Sequence, residues 1–343
     1  MVHIDYIIVG GGFAGFFLAH QLQKNNNSFV IFNGDQISGS HISAGVCNPV
    51  ILKRFSTFWK SKEQMDYLET IFSEIQSYTG NNYIINEPVA RIFHDEAEKK
   101  QWLKNALKED LNPFLETDFI TLESVENPLE CGVVKNSCRI DVENFFKDLF
   151  SYFETKELLI NESFDHQLID TENSIYKDFK FKNIVFCEGI HTRDNPYFDK
   201  IPVLPNKGHC LEVRIDETVD PYIIKKKHFL FSLSDDRFYY GGTYDRFDQS
   251  EDIDPEFVQE LENGLTAFYQ GDYYVTKVRT AFRATVDDRR PILGTHSEFK
   301  DLHIFNGLGA RGVLNGSYFS KVMFDYLENH IELDPEISVH RFQ

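Results

Sequence analysis

The sequence predicts an α/β plus α+β fold, in which a parallel sheet and a mostly antiparallel sheet are built from interleaved segments. Three observations carry this prediction. Residues 4–32 read as a buried strand, a helix and a second buried strand, the pattern of a parallel βαβ unit. Residues 208–244 are rich in β-branched and aromatic residues, which is typical of antiparallel strands. Residues 302–329 return to a strand followed by a helix, so the parallel part is assembled from separated pieces.

The first half of the chain opens with apolar runs at 4–9 and 29–32, which predict two buried strands on either side of a helix that ends before the polar NNNS run. Apolar residues at helical spacing predict helices over 61–79, 95–109 and 141–153. Asp141 is expected to be the N-cap of the last of these helices. Short strands are predicted in the sequences NYIIN, VARIF, FITLESV and CGVVKN.

The second half begins with the buried strand KNIVFCEG, followed by antiparallel strands in HCLEVRI, HFLFSL and RFYYGGTY. A helix near 255–269 and the strand YYVTKVRTAF come next. The chain ends with the strand LHIFN, the loop GLGARG and a helix over 311–329. This order predicts two interleaved domains, with 1–80, 136–205 and 280–343 in the first domain and 81–135 and 206–279 in the second.

Composition excludes several classes of protein. The chain has 343 residues, 42% of them hydrophobic, which is typical of a globular protein. A net charge of −19 disfavours nucleic acid and anionic membranes as partners. Five cysteines without a CxxC pair predict a reducing cytoplasm, and with the first strand so early in the sequence we expect no secretory signal. We find no apolar run long enough for a transmembrane segment and no ligand spacing typical of a metal site.

The sequence GGGFAG at residues 10–15 has the glycine spacing of a dinucleotide-binding turn. Gly10 permits the tight turn, Gly12 lets the backbone approach a pyrophosphate, and Gly15 lets the following helix pack on the strand. The preceding buried strand and the following helix are the context that supports the motif. At the end of the second strand, however, Asn33 takes the position where a carboxylate would bind the ribose. Asn33 keeps one acceptor and adds two donors, so it can still bind a ribose hydroxyl.

Five separated motifs resemble those of the FAD-dependent oxidoreductases of the D-amino-acid oxidase, glycine oxidase and sarcosine oxidase type. They are YIIVGGGFAG, GSHISAG at 39–45, CRIDVENFFKDL at 138–149, NIVFCEG at 183–189, and the pair FRATVDDRRPILG and LHIFNGLGARGVLNG. The last pair matches the pattern Arg-x-Thr-x-x-Asp-x-x-Pro-x-x-Gly of the family from Arg283 to Gly294. The GLGARG loop is especially similar to the oxidoreductase half of the bifunctional enzyme that matures the wobble uridine of tRNA. The resemblance covers nearly the whole chain.

The resemblance implies a Rossmann-like FAD-binding domain in separated segments, interleaved with a substrate domain. The FAD is expected to be non-covalent, because no residue aligns with an attachment position of the family. Asn33 in place of an acid and FRAT in place of Arg-Pro are departures from the family pattern. The residues implied to bind FAD are Gly10, Gly12, Phe13, Ala14, Gly15, Asn33, Ser40, His41, Ala44, Gly45, Gly189, Gly307, Gly309, Ala310, Arg311, Gly312 and Val313.

The family reaction transfers a hydride from the carbon next to an amine to flavin N5, and the resulting imine hydrolyses. By resemblance, Arg283 is expected to bind a substrate carboxylate; the alternative is an ion pair with Asp287 or Asp288. Arg311 is expected to stabilise the charge of reduced flavin, or else it faces solvent. Tyr244 is expected to line the substrate pocket, unless it serves ordinary packing.

The leading functional hypothesis is therefore an FAD-dependent oxidase or dehydrogenase of a small, carboxylated amine or amino acid. An enzyme that oxidises a modified tRNA uridine is one alternative, and a basic patch near the flavin would favour it. A flavin-binding protein without turnover is another alternative. The sequence leaves the substrate open, and it leaves open whether oxygen, a quinone or another carrier reoxidises the flavin.

Overall fold

The computed structural model describes residues 1–34 and 38–342, which contain six α-helices and 21 β-strands. The helices are α1 Phe13–Lys24, α2 Ser61–Thr79, α3 Glu96–Ala106, α4 Val142–Thr155, α5 Pro255–Thr266 and α6 Gly312–Asn329. The strands are β1 Val2–Val9, β2 Phe29–Phe32, β3 Val46–Cys47, β4 Val50–Ile51, β5 Ser56–Thr57, β6 Ile84–Ile85, β7 Val89–Ile92, β8 Leu115–Ile120, β9 Cys131–Val134, β10 Cys138–Ile140, β11 Leu159–Ile160, β12 Ile169–Asp170, β13 Ile175–Tyr176, β14 Phe179–Phe186, β15 Leu204–Arg214, β16 Ile223–Lys225, β17 Phe229–Ser232, β18 Arg237–Gly241, β19 Tyr274–Thr285, β20 Ile292–Thr295 and β21 Leu302–Asn306.

Among the described residues, the first large sheet has eight strands, and five of them form a parallel core in the order β11-β2-β1-β14-β21. The strands β12 and β13 continue the sheet antiparallel beside β14, and β20 pairs antiparallel with β21. If the five parallel strands are numbered by their order along the chain, the arrangement is 3-2-1-4-5, a doubly wound order. The central strands are apolar on both sides because helices α1 and α6 cover one face and further apolar segments cover the other. The order reverses between β1 and β14, so the carboxyl ends of these two strands border the expected ligand crevice.

The second large sheet has the order β19-β15-β18-β17-β16-β7-β9-β8. All of its neighbouring strands are antiparallel except β16 and β7. One face packs on α5, where Leu211 and Tyr240 meet Leu261 and Leu265 in a buried cluster. Because side chains alternate along a strand, the intervening residues of β15, β18 and β19 lie on the other face. The predicted combination of a parallel and a mostly antiparallel sheet is confirmed.

The strand predicted at 119–125 is wrong in position, because the structure places β8 several residues earlier. The amide of Asn127 holds the following segment in a turn. Its Nδ2 donates to the carbonyl oxygens of Leu122 at 2.7 Å and Val125 at 2.6 Å. A side chain that hydrogen-bonds its own backbone in this way competes with the strand ladder, and periodicity alone does not reveal it.

The helix predicted over 61–79 is confirmed as α2, whereas the one predicted over 95–109 ends earlier, as α3. Asp141 is the N-cap of α4, as predicted, and it accepts a hydrogen bond from the backbone of Asn144. The predicted division into two interleaved domains stays a prediction, and its boundary at residue 280 falls within β19.

Candidate functional site

The glycine-rich turn after β1 lies at the carboxyl edge of the parallel sheet, directly beside the end of β14. A Cβ on Gly10 would lie 2.5 Å from the carbonyl oxygen of Cys187, and Gly10 has a φ of +109°. A Cβ on Gly15 would lie 1.9 Å from the carbonyl oxygen of Gly10. Neither position accepts a side chain, so the turn and α1 are packed backbone to backbone, as a dinucleotide-binding turn requires.

The N-termini of α1 and α6 lie side by side at this edge. A Cβ on Gly312 would lie 2.8 Å from the Phe13 ring, and a Cβ on Gly316 would lie 2.9 Å from the Phe17 ring. From the first of these contacts to the second, both helices advance by four residues, so α1 and α6 run parallel. Gly12 gives α1 no side-chain cap, and the first turn of each helix has no acidic residue. The positive ends of two helix dipoles therefore point to the same side, which favours an anionic ligand there.

Asn33 supports the glycine-rich turn with both ends of its amide. Its Oδ1 accepts a hydrogen bond from the backbone N–H of Gly11 at 2.8 Å, and its Nδ2 donates to the carbonyl oxygen of Gly34 at 3.0 Å. A carboxylate at this position would lack the second of these bonds, because it has no donor. The departure from the family pattern thus adds a contact with the backbone, and the role of Asn33 in binding a ribose stays a prediction.

The loop over 38–45 connects the glycine-rich turn with the second sheet. The hydroxyl of Ser40 accepts a hydrogen bond from the backbone N–H of Phe13 at 3.3 Å. A Cβ on Gly39 would lie 2.4 Å from the carbonyl oxygen of Phe282, the residue before Arg283. These contacts bring the start of α1, the loop and β19 to one place.

His41 and Gly45 fix the rest of this loop. The His41 ring lies 4.3 Å from the Phe146 ring, and burial lowers its pKa to about 4, so the imidazole is neutral at pH 7. Gly45 has a φ of +65°, and a Cβ there would lie 2.6 Å from the carbonyl oxygen of Ile140. His41 and Ala44 also line a cleft that runs between the loop, the start of α4 and the second sheet.

Arg283 lies on β19, and glycines border its guanidinium group. Its Nη1 donates to the carbonyl oxygen of Thr243 at 3.0 Å. A Cβ on Gly208 would lie 2.4 Å from Nη1, and one on Gly242 would lie 3.0 Å from Nη2. Small residues on both sides therefore leave space for the fork of the guanidinium, which keeps donors available for an anion.

No carboxylate pairs with Arg283 within residues 1–34 and 38–342. The two acids that the sequence offered as partners are engaged elsewhere. Asp287 lies 3.8 Å from Arg246, and Asp288 lies 2.8 Å from Arg341. A half-buried arginine without an ion-pair partner, in a protein of charge −19, is a candidate anion site.

Two tyrosines flank this arginine, and the sequence identified one of them. The ring centroid of Tyr244 lies 4.3 Å from Cζ of Arg283, and the side chain is 62% exposed. Tyr239 was missed. A Cβ on Gly242 would lie 3.3 Å from the Tyr239 hydroxyl, so this hydroxyl and Arg283 border the same glycine. Burial raises the pKa of Tyr239, which keeps the phenol protonated and able to donate.

The alternation of side chains along β18 is the signal that would have identified Tyr239. Phe238 and Tyr240 face the α5 side of the sheet, so Tyr239 between them faces the cleft. With neighbouring tyrosines in the sequence, composition alone does not decide which of them lines a pocket.

The GLGARG loop packs against β19 just beyond Arg283. Gly307 and Gly309 have φ values of +71° and +58°, and the N–H of Gly309 donates to the carbonyl oxygen of Ala284 at 2.9 Å. Ala310 at its tip is exposed, whereas Val313 in the first turn of α6 is buried. The loop therefore brings the N-terminus of α6 next to the strand that carries Arg283.

Gly189 lies across the sheet edge from this loop. It has a φ of +57°, and its carbonyl oxygen accepts a hydrogen bond from Nδ2 of Asn306 at 2.7 Å. A Cβ on Gly189 would meet no atom within 4 Å. Glycine is therefore needed at position 189 for the left-handed backbone conformation of the turn after β14, and not to avoid a steric clash.

Arg311 is half-buried, with Cζ 4.3 Å from the ring centroid of Phe58. Burial lowers its pKa, the charges of Arg289 and Arg290 lower it further, and Tyr244 acts in the opposite direction. The hydrogen bond from Gly309 to Ala284 brings the loop of Arg311 to the end of β19 that carries Arg283, and the Tyr244 ring lies over Arg283. The alternative that Arg311 extends into solvent does not fit its burial.

Among residues 1–34 and 38–342 there is no group of three or more His, Cys, Asp or Glu side chains that could hold a metal ion. The same residues include no helix with the length and apolar character needed to cross a membrane.

Comparison with known proteins connects this site to a family. The family model DAO, described as FAD dependent oxidoreductase, matches residues 5–326 of the chain. Three similar solved structures are iminodiacetate oxidase from Chelativorans sp. BNC1, glycine oxidase from Bacillus cereus ATCC 14579, and L-amino acid deaminase from Proteus vulgaris with its specific insertion deleted.

The three structures share the fold over nearly their full length. The TM-scores are 0.81, 0.79 and 0.76, and the sequence identities are 16%, 16% and 17%, in the same order. The alignments cover 97%, 96% and 99% of this chain, and 99%, 96% and 94% of the other chains. At these identities the similarity concerns the fold.

Proposed function

This chain belongs to the DAO family of FAD-dependent oxidoreductases, and from that premise we propose that it oxidises the C–N bond of a small amine or amino acid that carries a carboxylate. The observation that carries the proposal is Arg283, a guanidinium without a carboxylate partner among the described residues. It lies where the 38–45 loop meets β19. A planar fork with free donors matches a carboxylate in two parallel hydrogen bonds.

Two features of the chain fit FAD. The turn from Gly10 to Gly15 excludes side chains at the places where a pyrophosphate needs a close approach of the backbone. The N-termini of α1 and α6 lie side by side, and neither helix has an acidic residue in its first turn; at the start of α1, Phe13 donates its N–H to Ser40. We propose that the α1 end holds the pyrophosphate, and that the α6 end with Gly309 and Arg311 faces the flavin.

We also propose that FAD is held without a covalent bond. Cys47 lies two residues after the 38–45 loop and is fully buried. Burial raises the pKa of its thiol well above the ordinary value, which disfavours the reactive thiolate that a covalent link would require. The His41 imidazole is enclosed by the Phe146 and Phe150 rings. Release of all the flavin on denaturation, with a colourless protein precipitate, is the expected result.

When bound, FAD supplies the acceptor for the two electrons that leave the C–N bond of the substrate. Arg283 binds the substrate carboxylate and thereby fixes the orientation of the neighbouring carbon. The protonated phenol of Tyr239 lies close enough to Arg283 to donate a hydrogen bond to the same substrate. The ring of Tyr244 covers Arg283 from the solvent side and limits the access of water to the guanidinium.

Replacing Arg311 with alanine should make the flavin harder to reduce. A positive charge near the α6 N-terminus stabilises the negative charge of reduced flavin, so its loss should lower the two-electron midpoint potential by about 30 mV or more. The potential is measured against a reference dye, with Arg214→Gln as a control, since exposed Arg214 lies at the far end of β15. An unchanged potential in Arg311→Ala would contradict this role.

An anaerobic screen of amines tests the proposed function. Oxidised enzyme is mixed with glycine, sarcosine, proline, D-amino acids and their decarboxylated counterparts, and flavin absorbance is followed. The proposal expects at least one carboxylated amine to bleach the flavin, and its counterpart without the carboxylate to act much more slowly. If no member of a broad panel bleaches the flavin, a flavin-binding protein without turnover becomes the better account.

A modified uridine of tRNA is the second candidate substrate. A basic patch near the flavin is the feature that would favour a tRNA substrate over a small amine. Arg289, Arg290 and Arg311 supply positive charge beside the site. The net charge of −19 weighs against a polyanionic partner. Bleaching of the flavin by tRNA with the modified uridine, and its absence with unmodified tRNA, would establish this candidate.

A further inference from the structure

A second group of arginines lies beside Arg283, and it has more positive charge than its neighbours neutralise. We call Arg289, Arg290 and Arg311 the arginine cluster. Within the described part of the chain, neither Arg289 nor Arg311 has a carboxylate partner, and Arg290 donates through Nε to Glu336 at 2.7 Å. Arg290 and Arg311 stack on the adjacent rings of Trp59 and Phe58, and Arg289 is the chain neighbour of Arg290. Like charges at close range are unfavourable unless an anion joins them.

The nearby acids do not remove this excess. Asp287 is paired with Arg246 and Asp288 with Arg341, so both acids of the turn before the cluster are engaged by other arginines. Glu336 neutralises only one of the three members. The cluster therefore keeps about two uncompensated positive charges, in addition to the one on Arg283.

Two aromatic rings hold two members of the cluster, Arg290 and Arg311, in place. Cζ of Arg311 lies 4.3 Å from the ring centroid of Phe58, and Cζ of Arg290 lies 4.7 Å from that of Trp59. The Trp59 ring is stacked at 5.7 Å on Phe319 of α6, which anchors this wall to the fold. A guanidinium that stacks on a ring keeps its N–H edge available, so Arg290 and Arg311 are preorganised to bind an anion, whereas Arg289 is exposed beside them.

The cluster and Arg283 belong to one site. The N–H of Gly309 donates to the carbonyl oxygen of Ala284, which ties the loop of Arg311 to the residue after Arg283. Arg283 precedes Ala284 by one residue, and Arg311 follows Gly309 by two, so both arginines lie close in the chain to this backbone contact. We take the two arginines to bind opposite ends of one small ligand.

We propose that the substrate carries a second anionic group, a carboxylate or a phosphate, which Arg311 binds with the help of Arg289 and Arg290. This inference rests on the proposed function, because it assigns the first carboxylate of the same amine to Arg283. The substrate class is thus a dianionic amine, with the nitrogen between two anionic ends. A single carboxylate on Arg283 would leave Arg289 and Arg311 without an anionic partner while the flavin is oxidised.

A matched pair of inert ligands tests this inference. In (methylthio)acetate and thiodiacetate a sulfur atom replaces the amine nitrogen, and the two differ by one carboxylate. Dissociation constants are measured by calorimetry on the oxidised holoenzyme, so no turnover is involved. Thiodiacetate should bind about 10-fold to 100-fold more tightly, as expected for charge-assisted hydrogen bonds to the added carboxylate.

The variants Arg311→Met and Arg289→Asn should both remove most of this preference. Arg289 is not among the residues assigned to FAD, so Arg289→Asn should keep its affinity for (methylthio)acetate. Methionine retains the packing on Phe58, and asparagine tolerates the φ of +61° at position 289. Arg214→Gln removes one exposed charge at the far end of β15 and should leave the preference unchanged. The flavin spectrum of each variant reports whether the site is still assembled.

Three results would overturn the inference, and they are distinguishable. If both ligands bind to the native enzyme with equal affinity, Arg283 takes a carboxylate and the arginine cluster does not, so the proposed function survives alone. If neither ligand binds, the carboxylate site itself is wrong, and the proposed function fails together with the inference. A preference that persists in Arg311→Met also contradicts the assignment to the cluster.

Discussion

Replacing Arg283 with alanine is expected to raise the dissociation constant of a carboxylated amine by about 100-fold to 1,000-fold. The substitution removes two charge-assisted hydrogen bonds in a half-buried place, where each contributes more than an exposed pair would. The measurement is the concentration dependence of anaerobic flavin reduction, which separates binding from the rate of reduction. An amine without a carboxylate should bind equally weakly to both proteins.

The controls for this prediction come from the same strand. Lys277→Gln removes an exposed positive charge from β19 and should change the dissociation constant less than about 3-fold. Arg283→Lys keeps the charge but loses the planar fork, so its dissociation constant should lie between those of the native protein and Arg283→Ala. The fold should survive in each, since among the described residues the Arg283 side chain donates only to the carbonyl oxygen of Thr243. Unchanged affinity of Arg283→Ala for acids would contradict the assignment.

Replacing Gly15 with alanine is expected to abolish FAD binding, with more than about 10-fold less flavin per protein after purification. The added Cβ would lie 1.9 Å from the carbonyl oxygen of Gly10, and both groups belong to backbone that cannot yield without moving α1 or the turn. Either movement displaces the N–H groups that face the pyrophosphate. The ratio of flavin absorbance to protein absorbance measures the effect.

A matched glycine separates this effect from general destabilisation. Gly80 ends α2 with a φ of +81°, and a Cβ there would meet no atom within 4 Å. Asparagine tolerates that conformation, so Gly80→Asn should purify with its full complement of FAD. Circular dichroism distinguishes loss of the cofactor from loss of the fold. A Gly15→Ala protein that is folded and saturated with FAD would disprove the role given to this turn.

Local sequence signals predicted the parallel part of the fold because its determinants are local. The turn from Gly10 to Gly15 needs glycine for contacts between backbone atoms a few residues apart, and a buried strand and a helix flank it. The family resemblance then directed attention to Arg283 and Arg311. The structure adds that Arg283 has no carboxylate partner within the described residues, which argues against an internal ion pair with Asp287 or Asp288 and supports the proposed binding role.

The remaining features depend on contacts between distant segments. Gly39 meets the backbone of Phe282, and Arg311 meets the Phe58 ring, but no periodicity in the chain encodes either pair. Tyr239 was missed because its role depends on which face of β18 points to the cleft. The arginine cluster was missed for a similar reason: its charge is significant only once Asp287 is known to pair with another arginine.

The most direct test of the central claim is to identify what leaves the active site after one anaerobic turnover. Enzyme is reduced with a saturating carboxylated amine that bleaches the flavin, quenched, and assayed for carbonyl compound and free amine. Oxidation of the C–N bond followed by hydrolysis predicts one carbonyl compound and one amine for each flavin reduced. Bleached flavin with the C–N bond intact would contradict the account.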